Sequence, residues 1–127
     1  MKGKFINVPG SYTTDAGTAA LLDTANDRVV FDVQGLDNVE IYLDQINDAG
    51  TTTLTVEATI DGTNWAPITT KADTDFAAGA NKSVRITDSD ANGMWIASKQ
   101  VRVTLTAVTG GGTYNAHCAG IQREGYA

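Results

Sequence analysis

The sequence of 127 residues contains one cysteine, Cys118, and two prolines. A single thiol excludes an intramolecular disulfide and any zinc site built from several cysteines. It is typical of a protein that folds in a reducing cytosol. No apolar run approaches the length of about 18 residues that a membrane span requires. No continuous apolar segment follows residues 1–4, so we expect no export signal.

Charged residues are also scarce, at 19% of the chain, and basic residues are the scarcer kind. The chain has nine Lys and Arg residues and fifteen Asp and Glu residues, which gives a formal net charge of −6. Nonspecific nucleic-acid binding needs a basic face that displaces counterions, and anionic membrane surfaces also attract basic segments. We therefore expect neither nucleic acid nor membrane as a partner.

Small and β-branched residues take the place of the missing charges. The chain has 18 Thr, 17 Ala and 13 Gly. Thr favours strands, whereas Gly favours turns. The length suits one domain that buries a core without metal or disulfides. Composition therefore predicts a single all-β domain.

Apolar and polar residues alternate along most of the chain from residue 28 onward. This period of two is the signature of strands with one buried face. The positions predicted to face the core are Val29, Phe31, Val33, Val39, Ile41, Leu43, Leu54, Val56, Ala58, Ile60, Val84, Ile86, Val101, Val103, Leu105 and Ala107. Such alternation is typical of antiparallel sheets. We predict one antiparallel β-sandwich over residues 28–127, with jelly-roll or immunoglobulin-like topology, and an extended N-terminal arm or wrapping loop over residues 1–27.

A turn signal interrupts the alternation directly after its most regular strand. Asp61, Gly62 and Asn64 supply residue types that tolerate tight turns, and Trp65 follows them. We predict a structural hairpin here. Pro67 cannot donate to a sheet ladder, so the strand after the turn is predicted to be short or to lie at an edge.

The residues needed for nucleophilic catalysis are poorly placed. The one histidine, His117, precedes Cys118, and neighbours in a regular strand point to opposite faces. There is no G-x-S-x-G elbow, and the glycines of residues 110–112 lack the Lys and helix of a phosphate loop. We therefore predict no catalytic residues and no cofactor.

One loop resembles half of a calcium site. Asp88, Asp90 and Asn92 precede Gly93 in the spacing of an EF-hand loop. The twelfth position, where a bidentate Glu belongs, is Lys99. A polar turn explains this pattern as well as a weak calcium site does, so we predict no metal.

Aromatic side chains are the other candidate binding groups, because their rings stack on ligands while their polar groups remain in contact with solvent. Tyr42 lies on the predicted water face of its strand. Trp65, directly after a hairpin, also suits a plug that closes the sandwich end. The candidates are Tyr12, Tyr42, Trp65, Trp95, Tyr114 and Tyr126.

The segment T-L-T-V-E-A-T-I-D-G-T-N-W-A-P-I-T, residues 53–69, resembles a strand–DGxxW–strand hairpin in small virion proteins of tailed bacteriophages. V-F-D-V-Q-G-L-D-N-V-E-I-Y-L, residues 30–43, and V-R-V-T-L-T, residues 101–106, are similar to other strands of such head decoration and tail-associated β-sandwich modules.

The resemblance implies a non-enzymatic structural protein of the virion, assembled in the host cytoplasm. It points first to a capsid decoration (cement) protein that binds the major capsid protein or another virion protein and bridges capsomers. Such modules commonly form homotrimers.

Two alternatives stay open. The first is a glycan-binding or adhesion module on a virion or tail surface that uses Tyr42 or Trp95, because hairpins of the D-G-x-x-W type also occur in carbohydrate-binding modules. A small hydrolase is the second.

Overall fold

The computed structural model describes residues 3–15, 21–47, 50–76, 82–87 and 98–123. They form an antiparallel β-sandwich, as the alternation predicted. The described strands are β1 (Gly3–Val8), β2 (Gly10–Thr13), β3 (Arg28–Asp32), β4 (Asp37–Asn47), β5 (Thr51–Thr59), β6 (Ala66–Ala72), β7 (Ser83–Ile86), β8 (Gln100–Thr109) and β9 (Thr113–Arg123). One 3-10 turn, Asp73–Phe76, follows β6.

Two sheets form the layers of the sandwich. The front sheet has the strand order β1-β9-β4-β7, and the back sheet has the order β2-β3-β8-β5-β6. Pairing is nested: β1 pairs with β9, β3 with β8, β4 with β7 and β5 with β6. With β2 as an added edge strand, this is the order of a jelly roll.

The core lies between the sheets and consists of the inward residues of the alternating strands. Most positions predicted to face inward are buried, which confirms the period-two reading. The buried members of that prediction are Val29, Phe31, Val33, Val39, Ile41, Leu43, Leu54, Val56, Ala58, Ile86, Val101, Val103 and Leu105. Leu22, Phe76 and Tyr114 complete the core from other segments.

Two inward predictions are wrong. Ile60 is 73% exposed, because β5 ends at Thr59, whose hydroxyl donates to Asp61 at 3.0 Å and draws the chain into the turn. Ala107 is exposed, because the β5–β8 register shifts between Thr53 and Leu54. Such a bulge adds one residue to a strand and inverts the alternation beyond it.

The described part of the predicted arm runs along the sandwich. It contributes β1 to one edge of the front sheet and β2 to one edge of the back sheet. Pro9 stands between these strands, where the chain crosses from one sheet to the other. The Tyr12 hydroxyl donates to the Ala116 carbonyl and accepts from its N–H, both at 3.1 Å. Its described residues therefore supply two strands of the sandwich.

The turn between β5 and β6 is organised by one carboxylate. Asp61 accepts from the N–H groups of Thr63 and Asn64, both at 2.8 Å, and from the Asn64 amide at 2.7 Å. These bonds hold the pKa of Asp61 well below its usual range. Gly62 takes a φ of 83°, which suits a residue without a Cβ. The predicted hairpin residues thus lie in one turn, and β6, with Pro67, is an edge strand.

Candidate functional site

The outer face of the front sheet carries an exposed tyrosine among polar side chains. Tyr42 lies on β4 and is 44% exposed. Its register partners are His117 on β9 and Arg85 on β7. Because direct cross-strand partners lie on the same face, these three side chains form a row across the sheet. The exposure of Tyr42 agrees with its predicted outward position.

Two acidic residues of β4, Glu40 and Asp44, flank Tyr42 and pair with Arg85 and His117 of this row. The Arg85 Nε donates to Glu40 at 3.0 Å, and this hydrogen bond raises the pKa of Arg85. His117 Nε2 lies 3.0 Å from an oxygen of Asp44, and Ser83 also donates to that carboxylate. The guanidinium of Arg85 lies 5.9 Å from the centroid of the Tyr42 ring.

A shallow hollow of about 240 Å³ lies beside Tyr42 on this face. Its floor is β9, where Ala119 is small, and its sides come from β1 and β4. We call it the Tyr42 trough, and its lining residues are Phe5, Asn7, Glu40, Tyr42, His117, Cys118 and Ala119. The trough combines apolar ring surface with several hydrogen-bonding groups, a composition common in small-molecule sites.

Sequence reasoning missed Phe5, which is 63% exposed on β1. The signal was present, because Ile6 and Val8 alternate with polar positions in the same segment. Ile6 and Val8 pack against the core, and their inward orientation turns Phe5 outward. Reading residues 1–27 as an arm obscured this short strand.

The other aromatic candidates are engaged elsewhere or lie outside the described residues. Trp65 is half-buried and not a core plug, because the Arg102 guanidinium covers its ring at 4.2 Å from the centroid. Arg102 also donates to Glu57 at 3.0 Å. Tyr12 and Tyr114 belong to the packed interior. Trp95 and Tyr126 are not among the described residues.

His117 and Cys118 point to opposite sides of the front sheet. Cys118 is buried, and burial raises the pKa of its thiol to about 12. The His117 side chain is on the outer face, paired with Asp44. A buried neutral thiol is a poor nucleophile, so this pair does not form a catalytic dyad.

The calcium candidates Asp88, Asp90 and Asn92 lie outside the described residues. Within the ranges that the structure describes, no group of three or more His, Cys, Asp or Glu side chains is arranged to hold a metal ion. No helix among those residues has the length and apolar character needed to cross a membrane.

A larger hollow of about 430 Å³ lies at an end of the sandwich. It is lined by Ile6, Val8, Pro9, Asp32, Gln34 and Leu36. These residues offer aliphatic surface and two polar side chains, without an aromatic ring. The Tyr42 trough is smaller but provides rings, amides and charged groups together, so we take it as the candidate site.

No family model and no curated protein sequence matches the chain. Among solved structures, the chain is similar to a truncated AlyQ with CBM32 and alginate lyase domains. The TM-score is 0.53 at 9% identity, and the match covers 99% of this chain and 36% of the AlyQ chain. A structure of the CBM32 of AlyQ in complex with 4,5-unsaturated mannuronic acid has a TM-score of 0.49 and 12% identity, covering 94% of this chain and 96% of that one.

The likeness to the larger AlyQ structure shows the fold, a β-sandwich. This chain spans about a third of that protein's length. That AlyQ protein has CBM32 and alginate lyase domains, and an identity of 9% transfers the function of neither domain to this chain.

Proposed function

We propose that this protein is a non-catalytic carbohydrate-binding module whose binding surface is the Tyr42 trough. The observation that carries the proposal is the exposed Tyr42 ring beside a hollow on a polar sheet face. Similarity in fold to a protein that contains a CBM32 domain supports this choice over a virion role.

The chemistry of the trough suits a sugar. A pyranose ring has an apolar C–H face and a rim of hydroxyl groups, so it needs a flat apolar partner and several hydrogen-bonding groups. Tyr42 supplies the flat ring, and Asn7, Glu40 and His117 supply donors and acceptors nearby. These groups stand on paired strands, which hold them in fixed positions before a ligand arrives.

Binding without turnover agrees with the described chemistry of the site. His117 pairs with Asp44 on the outer face of the sheet, away from the thiol of Cys118. Cys118 lies behind the sheet with its thiol protonated. The trough therefore brings together recognition groups but no nucleophile with an activating base.

Tyr42→Ala is expected to weaken glycan binding about tenfold or more. Covering the exposed part of the ring contributes about 1.4 kcal/mol or more, and this amount corresponds to a factor of ten in affinity. The measurement is isothermal titration calorimetry with the neutral oligosaccharide that gives the strongest signal on a glycan array.

Two variants serve as controls for this experiment. Tyr42→Phe keeps the ring and should retain most of the affinity. Ile60→Ala removes an exposed side chain that follows β5 of the back sheet and should leave binding unchanged. Unchanged affinity of a folded Tyr42→Ala protein would contradict a site at the trough.

A second candidate is docking to a protein shell, as the resemblance to phage virion proteins implies. The edge strand β1 with its exposed Phe5 favours it, since open edges accept a further strand. The purified protein should then form a homotrimer in light scattering and cosediment with capsids of its phage. A sugar-binding monomer that does not cosediment with them would contradict this candidate.

A further inference from the structure

The Tyr42 trough continues into a second hollow on the same face. This neighbour has a volume of about 210 Å³ and is lined by Phe5, Asn38 and Ile121, among others. Phe5, Glu40 and Ala119 line both hollows. The face therefore offers two adjoining subsites, one next to Tyr42 and one next to Ile121, with Phe5 beside both.

The backbone positions of the two aromatic residues lie far apart along the sheet. Phe5 is the register partner of Ile121, whereas Tyr42 is the partner of His117, four positions away on β9. Four residues of strand and two interstrand spacings place their Cα atoms roughly 17 Å apart on a diagonal. This span exceeds the width of one sugar ring, so an occupant that reaches from one position to the other is a chain of sugars.

The strand between the two rings leaves the path open. Ala119 stands on β9 between its register partners Asn7 and Glu40. Its methyl group is the smallest side chain available other than hydrogen, so a chain of sugars can pass over it. Asn7 and Glu40 on either side offer hydrogen-bonding groups to hydroxyls along that path.

The charges on the face argue against an anionic ligand. Arg85 beside Tyr42 is already paired with Glu40, and His117 lies against Asp44. The carboxylates of Glu40 and Asp44 thus stand on either side of the ring, and the whole chain has a formal net charge of −6. Among the described side chains that line the trough or pair with them, a uronate or sulfated sugar would meet carboxylates whose partner, Arg85, is already engaged.

We propose that the ligand is an uncharged oligosaccharide that lies diagonally across the front sheet, from Tyr42 over Ala119 to Phe5. This inference rests on the proposed function and adds the ligand's length and charge to it. Phe5 and Tyr42 act as anchors for different sugar units of the same chain.

The test is calorimetry on the full chain with neutral manno- and gluco-oligosaccharides, from monosaccharide to hexasaccharide. Oligomannuronates of the same lengths serve as charged counterparts. We expect affinity for the neutral series to rise about tenfold or more from monosaccharide to tetrasaccharide and then to level off. The charged series should bind more weakly at each length.

Phe5→Ala should weaken binding of the tetrasaccharide more than binding of the monosaccharide and so reduce the gain with length, and Phe5→Tyr should retain the gain. Tyr42→Ala should weaken every length. Equal affinity for monosaccharide and tetrasaccharide would overturn the inference and leave the proposed function intact, as would preference for the charged series. Absence of binding to every sugar, with the circular-dichroism spectrum of a folded protein, would overturn both.

Discussion

Replacing Tyr114 with alanine is expected to lower the free energy of unfolding by about 4 to 5 kcal/mol, because truncating a large buried aromatic leaves a cavity. Tyr114 lies on β9 with no exposed surface. Its ring packs against Phe76 with centroids 5.2 Å apart, and its backbone bridges to Leu22. Urea denaturation followed by circular dichroism measures the change.

The variant Tyr114→Phe keeps the ring and removes the hydroxyl, so it distinguishes the stabilities that the two groups contribute. The hydroxyl accepts a hydrogen bond from the Gln45 amide at 2.9 Å and bonds to Thr52 inside the core. Removing it leaves buried groups without this partner, at a cost of about 1 to 3 kcal/mol. A Phe variant as unstable as the Ala variant would contradict the contribution assigned to ring packing.

Replacing Asp27 with alanine is expected to cost about 3 kcal/mol of stability, since three charge-assisted hydrogen bonds are lost. The carboxylate is buried and accepts from the N–H groups of Asp15, Asp23 and Thr24 at 2.8 to 3.0 Å. It therefore fastens the segment before β3 to the sandwich. Urea denaturation at neutral pH measures the loss, with the exposed Asp32→Ala as a matched control.

The same carboxylate makes stability depend on pH. Burial alone would raise the pKa of Asp27, but the three N–H donors outweigh it, so the pKa is lowered in the folded state. Its contribution is then complete above the pKa of about 3.9 in the unfolded chain, and is lost as the pH falls through the folded value.

The gap in stability between wild type and Asp27→Asn should therefore shrink when urea denaturation is repeated at increasingly acidic pH. A gap that stays constant from neutral to strongly acidic pH would show that the charge of Asp27 contributes nothing.

The strands of the two sheets could be predicted because the alternation that specifies each strand lies within a few consecutive residues. In β5, Leu54, Val56 and Ala58 alternate with polar residues, and this pattern alone specifies a strand with one buried face. Pro67, which lacks an N–H, predicted that β6 is short or lies at an edge, and β6 is an edge strand. Ala107 was placed wrongly because a bulge belongs to the pairing of two strands, and one strand's sequence does not reveal its partner.

The candidate site could be predicted only in part, for the same reason. The outward orientation of Tyr42 follows from the alternation along β4. Its neighbours His117, Arg85 and Phe5 lie far from it in sequence and meet it through strand register. The register depends on the nested pairing of the jelly roll, which periodicity does not specify.

The most direct test of the proposed binding surface is backbone amide chemical-shift mapping by NMR with a neutral tetrasaccharide. We expect saturable shifts at Asn7, Glu40, Tyr42, His117 and Ala119 of the front sheet. Shifts confined to the back sheet around Trp65 and Arg102, or to the end hollow near Pro9 and Leu36, would contradict the account.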